Sequence, residues 1–178
     1  VKKLWSQLTA NVPSAFMGAL LLSGAFLLFV IWDQSHWWSQ KEDYSFGWLV
    51  PLFVAYVINE RWGSIKTALA TCAAPGGPRS AGLSKWIVRL LIACFLLFGT
   101  LFFLLGSFYR AGAGPSYPGT LAITIGTVGL LFGLLITNAP ESPSPTASSL
   151  AKDARVPLVA LFIFPVMIWF VSAPMVSV

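Results

Sequence analysis

Charged residues are scarce in this chain of 178 residues, and their scarcity excludes most soluble classes of protein. Asp, Glu, Lys and Arg make up 10% of the sequence, whereas about 25% is usual for a soluble globular domain. Hydrophobic residues make up 57%, and the mean hydropathy is +0.79. This composition excludes a disordered chain and a nucleic-acid-binding protein, although the net charge is +5. It indicates an integral membrane protein whose first partner is the lipid bilayer.

Cysteine and histidine are almost absent, which argues against several kinds of site. Cys72 and Cys94 have neither a C-x-x-C spacing nor a zinc-ligand spacing, so the sequence predicts no disulfide framework and no metal site. The acidic residues nearest the single histidine, His36, are Asp33, Glu42 and Asp43. We interpret this stretch as a solvated acidic loop. The chain also lacks a Ser-His-Asp set, a phosphate-binding glycine loop and a His-Glu-x-x-His motif, so we predict no catalytic residue and no cofactor.

The sequence is instead rich in long apolar runs that contain few charged residues. A bilayer core of about 30 Å needs roughly 20 apolar residues, which predicts an all-α bundle of about five transmembrane helices in a single domain, 1–178. The predicted spans are 15–32, 46–60, 86–108, 120–136 and 156–178. The second span is short, so it either crosses with help from its flanks or re-enters. Flexible loops are predicted at 73–82 and 138–149, where proline recurs among glycine or serine.

The positive charges predict how these spans are oriented. With the N-terminus in the cytoplasm, nine of the 11 Lys and Arg residues fall on the cytoplasmic side, and only Lys41 and Arg110 fall outside. The sequence therefore predicts a cytoplasmic N-terminus and an outer loop at 33–47. The first span follows Lys2 and Lys3 and ends in Ile-Trp-Asp rather than in a small-residue cleavage site. This pattern favours an uncleaved anchor over a signal peptide.

Three glycines, Gly126, Gly129 and Gly133, share the fourth predicted span. Gly129 and Gly133 form a G-x-x-x-G pair, and small residues let membrane helices approach closely. We predict that this face packs against another helix, within the chain or in another subunit. It supports one functional hypothesis, a small non-enzymatic membrane subunit or scaffold. A transporter component is a weaker hypothesis, because charges within the spans are nearly absent.

The stretch 43–51 passes from the acidic loop directly into the second span. It reads Asp-Tyr-Ser-Phe-Gly-Trp-Leu-Val-Pro and continues as an apolar run. It resembles the N-terminal signature of the exosortase/archaeosortase family, roughly W…D-Y-S-H-G-x-L-V-P, with Phe46 in place of the usual histidine. The upstream tryptophan is matched by Trp37 or Trp38. A Phe-Pro…Pro segment at 164–174 is similar to a later segment of the family.

The resemblance implies a multi-pass protein of a prokaryotic inner membrane, within a family of cysteine transpeptidases that process C-terminal sorting signals of the Pro-Glu-Pro type. Its implied partners are exported proteins with such tails and other membrane subunits. The family's catalytic cysteine stands in an Ala-Cys-Ser-Gly motif, with arginine and histidine further on, and this chain contains none of the three. The resemblance thus implies that this chain corresponds to the non-catalytic N-terminal part of such an enzyme. It would be a truncated reading frame, a fragment or a degenerate relative of the family. The residues expected to support a pocket at the outer surface are Asp43, Tyr44, Ser45, Gly47 and Pro51. We expect this segment to pack against another span, with the outer end of the third or fifth span as the expected partner.

Overall fold

The computed structural model describes residues 12–40, 42–73, 83–140, 152–153, 155 and 162. Almost all of these residues are helical, which confirms the predicted all-α class. The helices are α1 (Ser14–Gln40), a 3₁₀ helix (Glu42–Leu49), α2 (Val50–Ala73), α3 (Lys85–Ala113) and α4 (Tyr117–Asn138). Two short strands, β1 (Leu83–Ser84) and β2 (Lys152–Asp153), pair in antiparallel register beside the start of α3.

Three of the described helices, α1, α3 and α4, are long and apolar enough to cross a membrane. The 27 residues of α1 extend about 40 Å at 1.5 Å per residue, which exceeds a hydrocarbon core of about 30 Å. α2 has 24 residues, but it carries Glu60 and Arg61 at its middle and Lys66 further on. The membrane character predicted from composition is therefore confirmed, whereas five spans are not. The predicted fifth span, 156–178, lies outside the described residues except for Phe162.

The boundaries of α1 and α2 differ from the predicted spans. α1 continues through the polar stretch after Trp32 to Gln40, because Asp33 and Gln34 face the protein interior rather than water. The second predicted span, 46–60, becomes a 3₁₀ helix followed by α2, which runs on to Ala73. The two predicted loops begin where α2 and α4 end, and their remaining residues, 74–82 and 141–149, lie outside the described part.

α3 and α4 form a close antiparallel hairpin. Their connection is only Gly114 to Ser116, and Gly114 has a φ of 73°, a left-handed conformation that favours glycine at a helix end. A Cβ built on Gly99 would lie 2.7 Å from the backbone nitrogen of Leu130. One built on Gly106 would lie 2.7 Å from the carbonyl oxygen of Gly119. The two backbones thus touch at separate levels, with no room for side chains between them.

Two clusters of buried side chains give the directions of the other helices. One cluster contains Phe16, Ile65, Leu69, Leu135 and Ala139, and joins the start of α1 to the later parts of α2 and α4. The other contains Val30, Val50, Val54 and Ile123, and joins the later part of α1 to the starts of α2 and α4. Successive helices therefore alternate in direction. We call the end at which α1 and α3 finish the Asp33 end, and the opposite end the Phe16 end.

Candidate functional site: a buried polar cluster at the Asp33 end

A carboxylate and a guanidinium meet inside the Asp33 end. Asp33 on α1 is fully buried, and its Oδ1 forms an ion pair with the Nη1 of Arg110 on α3. The Arg110 side chain is 16% exposed, so it lies between the buried carboxylate and the surface. A buried charge is tolerated when it is paired, because desolvation without a partner costs several kcal/mol. The expectation that Asp33 belongs to a solvated loop was wrong, since its helix carries it between α3 and α4.

The guanidinium of Arg110 is also held by an aromatic ring. Its central carbon lies 4.6 Å from the centre of the Trp32 ring, a cation–π distance. Trp32 is one residue before Asp33, so adjacent positions of α1 supply a ring for the face of the guanidinium and a carboxylate for its edge. Arginine suits this position better than lysine because its planar group can stack and donate at the same time. Trp32 itself is 59% exposed, which places the ring at the surface of the bundle.

Near this pair, at the same end of the bundle, hydrogen bonds between side chains join α1 and α4. The amide nitrogen Nε2 of Gln34 donates to the Oγ1 of Thr124 at 3.3 Å. The indole Nε1 of Trp37 donates to the Oγ1 of Thr120 at 3.2 Å. The Thr124 hydroxyl in turn donates to the carbonyl of Thr120 at 2.9 Å. Because Gln34, Thr120 and Thr124 are buried, these bonds satisfy polar groups that an apolar interior would otherwise leave unpaired.

Aromatic rings cover the polar cluster on the side of the helix ends. Trp37 stacks on Tyr117, the first residue of α4, with ring centres 4.0 Å apart and planes inclined by 20°. His36 meets Trp37 edge to face at 5.2 Å. The rings therefore lie over Thr120, which is buried, and the exclusion of water strengthens the hydrogen bonds that Thr120 makes.

The segment that carries the family-like motif packs against the same end of the bundle. Gly47, in the 3₁₀ helix, is buried, and a Cβ built on it would collide with the indole ring of Trp38. Trp38 is 2% exposed and also meets Trp48 edge to face at 5.4 Å. The contact is thus with α1, whereas the sequence suggested the third or fifth span. Glycine at position 47 lets the segment lie flat on Trp38, because any larger residue would have to displace the indole ring.

The other residues of the motif are placed differently. Ser45 is exposed and Pro51 is half-buried in the first turn of α2, where proline is well tolerated. The side chains of Asp43 and Tyr44 lie outside the described part of the structure. Of the five predicted pocket-support residues, the described contacts therefore draw only Gly47 into the interior.

The predicted packing glycines lie away from this cluster, along the contact between α3 and α4. A Cβ on Gly126 would collide with the backbone of Phe103, and one on Gly129 would lie 2.9 Å from the Cα of Gly99. A Cβ on Gly133 would lie 2.6 Å from a methyl carbon of Leu96. All three glycines thus face α3 of the same chain.

The described residues do not assemble the parts of a metal or thiol site. No group of three or more His, Cys, Asp and Glu residues able to hold a metal ion occurs among them. Cys94 lies in α3 about 24 Å along the helix from Arg110, since 16 residues separate the two. Cys72 is buried near the Phe16 end of α2. Within this part of the chain, the Asp33 end therefore offers binding and positioning groups rather than a nucleophile with its base.

Sequence reasoning missed Gln34, Arg110, Thr120 and Thr124 as members of one site. A signal existed for the threonines, because positions 120, 124 and 127 recur at helical spacing on a single face of an apolar span. No such local signal pairs Asp33 with Arg110, since the two come from different helices. Comparison of the chain with family models, curated proteins and solved structures gives no match. The site is therefore interpreted from its own geometry.

Proposed function

We propose that this chain is the N-terminal membrane part of an exosortase-like protein of the cell envelope. Its Asp33 end is the outer surface, and there it helps to receive the C-terminal sorting tails of exported proteins. The observation that carries the proposal is the packing of Gly47 on Trp38, which joins the motif segment to the end of the bundle that holds Asp33 and Arg110. The motif segment and the polar cluster thus lie at the same end of the bundle, the Asp33 end.

The orientation is part of the same proposal. Nine of the 11 Lys and Arg residues lie in segments assigned to the cytoplasm when the N-terminus is inside, and this distribution favours the Asp33 end as the outer end. The protein would then be a multi-pass component of a prokaryotic plasma membrane, with 156–178 as a further span. Apolar surface on α1, α3 and α4 supports contact with lipid.

The role proposed for this chain is recognition rather than catalysis. Acyl transfer needs a nucleophile, a proton-transfer partner and a stabiliser of the oxyanion within one site. Cys72 and Cys94 lie in α2 and α3, and neither stands in an Ala-Cys-Ser-Gly motif. Ser45 and the exposed ring of Trp48, beside the covered polar cluster, would instead form a surface that orients an extended peptide.

Crosslinking from two exposed serines tests the recognition role. A photoreactive residue placed at Ser45 should crosslink to an exported reporter that carries a Pro-Glu-Pro-type tail. The same residue at Ser64, exposed in the second half of α2, serves as the matched control and should give little product. A reporter without the tail should abolish the product at Ser45. Equal crosslinking at both positions, or the same product without the tail, would reject a tail-receiving surface at the Asp33 end.

Cysteine labelling tests the orientation separately. With Cys72 and Cys94 replaced, a cysteine at Ser45 should react in intact cells with a membrane-impermeant maleimide. A cysteine at Ser64 should react only after the cells are opened. The reverse pattern would show that the Asp33 end faces the cytoplasm.

A non-enzymatic subunit is the second candidate, and the exposed surface of α3 favours it. Only 11% of the most apolar 18-residue stretch of α3 is buried in the protein. Because α3 already covers the glycine face of α4, a partner helix would contact this other surface. A cysteine at Leu97, which is 67% exposed, should then form disulfide-linked species with the partner in native membranes. A chain that stays monomeric and uncrosslinked would remove this alternative.

A further inference from the structure

An apolar groove lies between α1 and α3 and is open at the surface of the bundle. Its volume is about 480 Å³, and its walls are Leu22, Ala25, Phe26, Phe29, Phe103 and Ser107. The Ser107 hydroxyl donates to the carbonyl of Phe103 at 2.7 Å, so this polar group is satisfied within its own helix. The groove therefore presents a surface suited to hydrocarbon, and three of its six lining residues are phenylalanine.

The groove leads to Arg110 and Trp32. Phe29 is one helical turn before Trp32 on α1, and the two ring centres are 5.6 Å apart. Ser107 is likewise one turn before Arg110 on α3. From Leu22 to Trp32 the distance along α1 is about 15 Å. A chain of hydrocarbon lying in the groove would thus end beneath an exposed indole and a partly exposed guanidinium.

We propose that this groove binds a phospholipid with an anionic headgroup, its acyl chain between α1 and α3 and its phosphate beside Arg110. Trp32 has the amphipathic ring that favours headgroup depth, and Arg110 supplies the complementary charge. The guanidinium carries five N–H donors in a planar fork, and its Nη1 meets Asp33 on the buried side. The Arg110 side chain is 16% exposed, and Trp32 and Asp33 hold its guanidinium in a fixed orientation for a phosphate oxygen.

The pair with Asp33 makes a distinctive prediction about charge. Asp33 and Arg110 together are neutral, so Asp33 competes with a bound phosphate for the same guanidinium. Replacing Asp33 by asparagine removes this competing anion and leaves a net positive site. The structure thus implies that Asp33→Asn strengthens the preference for anionic lipid, whereas Arg110→Gln abolishes it. If anionic lipid were attracted only to exposed basic residues in general, its preferential binding would not depend on Asp33.

Native mass spectrometry of the purified full chain tests the proposal. The probes are phosphatidylglycerol and phosphatidylcholine with identical acyl chains, offered in equal amounts to delipidated protein. One well-placed cation predicts about a fivefold preference for phosphatidylglycerol. Arg110→Gln should reduce this ratio to near one, and Asp33→Asn should raise it above the wild-type value. The double variant, Asp33→Asn with Arg110→Gln, leaves no unpaired buried carboxylate and should also give a ratio near one.

Two matched controls separate the groove from the charge. Arg89→Gln removes an exposed arginine at the other end of α3, where this groove is absent, and should change the ratio by less than about twofold. Ala25→Trp fills the groove and should lower retention of both lipids equally, whereas Leu97→Trp, on the exposed surface of α3, should not.

A wild-type ratio in the double variant would overturn the proposal. So would a ratio in Asp33→Asn that falls to that of Arg110→Gln, or a copurifying second chain that Ala25→Trp displaces. These outcomes do not depend on sorting tails, so they leave the proposed recognition role to its own test.

Discussion

α4 contacts its two neighbours in different ways. Toward α3 it presents glycines, and the two backbones meet directly at several levels of the hairpin. Toward α1 it presents threonine hydroxyls, which accept hydrogen bonds from Gln34 and Trp37 at the Asp33 end. The first contact depends on the absence of side chains, and the second depends on particular polar atoms at particular positions.

The difference has a physical reason in a membrane. Lipid is as apolar as leucine, so burial of apolar side chains drives helix association only weakly in a membrane. Close packing or hydrogen bonding must supply the remaining free energy of association. Close packing of glycines fixes the distance between α3 and α4. Hydrogen bonds and the Asp33–Arg110 pair fix the relative rotation and height of α1, α3 and α4, because each donor must reach one acceptor. The glycine contact thus holds the hairpin, and the polar contacts orient the Asp33 end.

Breaking the ion pair should have the largest effect. Arg110→Gln leaves the fully buried Asp33 without its cation, and the removal of one partner of a buried pair costs about 3–5 kcal/mol. We expect the midpoint of unfolding in mixed SDS micelles, followed by circular dichroism, to fall accordingly. Asp33→Asn combined with Arg110→Gln should recover most of the loss. An Arg110→Gln protein as stable as wild type would show that the pair does not organise this end.

Adding a methyl group to the glycine contact should have the next largest effect. Gly126→Ala places a Cβ against the backbone of Phe103, and overpacking of this kind costs about 1–3 kcal/mol. The matched control is Gly18→Ala on α1, where a Cβ meets nothing within 4 Å. The control should leave stability unchanged or raise it slightly, since alanine favours helix. Equal effects of the two substitutions in the same unfolding assay would contradict the packing described for the hairpin.

Gly47→Ala should disturb the Asp33 end without opening the hairpin. The added Cβ would displace the Trp38 ring, at a cost of about 1 kcal/mol because a side chain gives way more easily than backbone. Gly63→Ala on α2, with open space around it, is the control. Under the proposed function, Gly47→Ala should also weaken crosslinking from Ser45 to the reporter tail. A loss of stability equal to that of Gly126→Ala would mean that the motif segment supports the whole bundle.

The smallest effect should come from one interhelical hydrogen bond. Thr124→Val removes the hydroxyl that accepts from Gln34, and such bonds in membrane proteins average about 0.6 kcal/mol. Thr127→Val makes the same change one turn further along α4, at a buried hydroxyl that makes no hydrogen bond among the described residues. It should cost nothing or stabilise slightly. A greater loss in Thr127→Val than in Thr124→Val would contradict the network at the Asp33 end.

Particular residues show which parts of the fold could be predicted from the sequence. The apolar runs located α1, α3 and α4, because hydropathy is a local property of 20 or so residues. The end of α1 was misplaced at Trp32 because a polar stretch usually leaves the membrane, and the partners that keep this one folded come from α3 and α4. In the same way, the threonine stripe of α4 could be read from its spacing, but its hydrogen-bond donors could not.

The sequence by itself determined that the chain is a helical membrane protein, because composition and the length of apolar runs decide how a segment partitions into lipid. It also determined that glycines line one face of α4, because helical periodicity is local. Only the tertiary structure decided that this face meets α3, and that Asp33 is buried against Arg110. The hydrogen bond between Gln34 and Thr124 joins residues 90 positions apart. Such contacts depend on the order and direction in which the helices pack, and no single stretch of sequence carries that information.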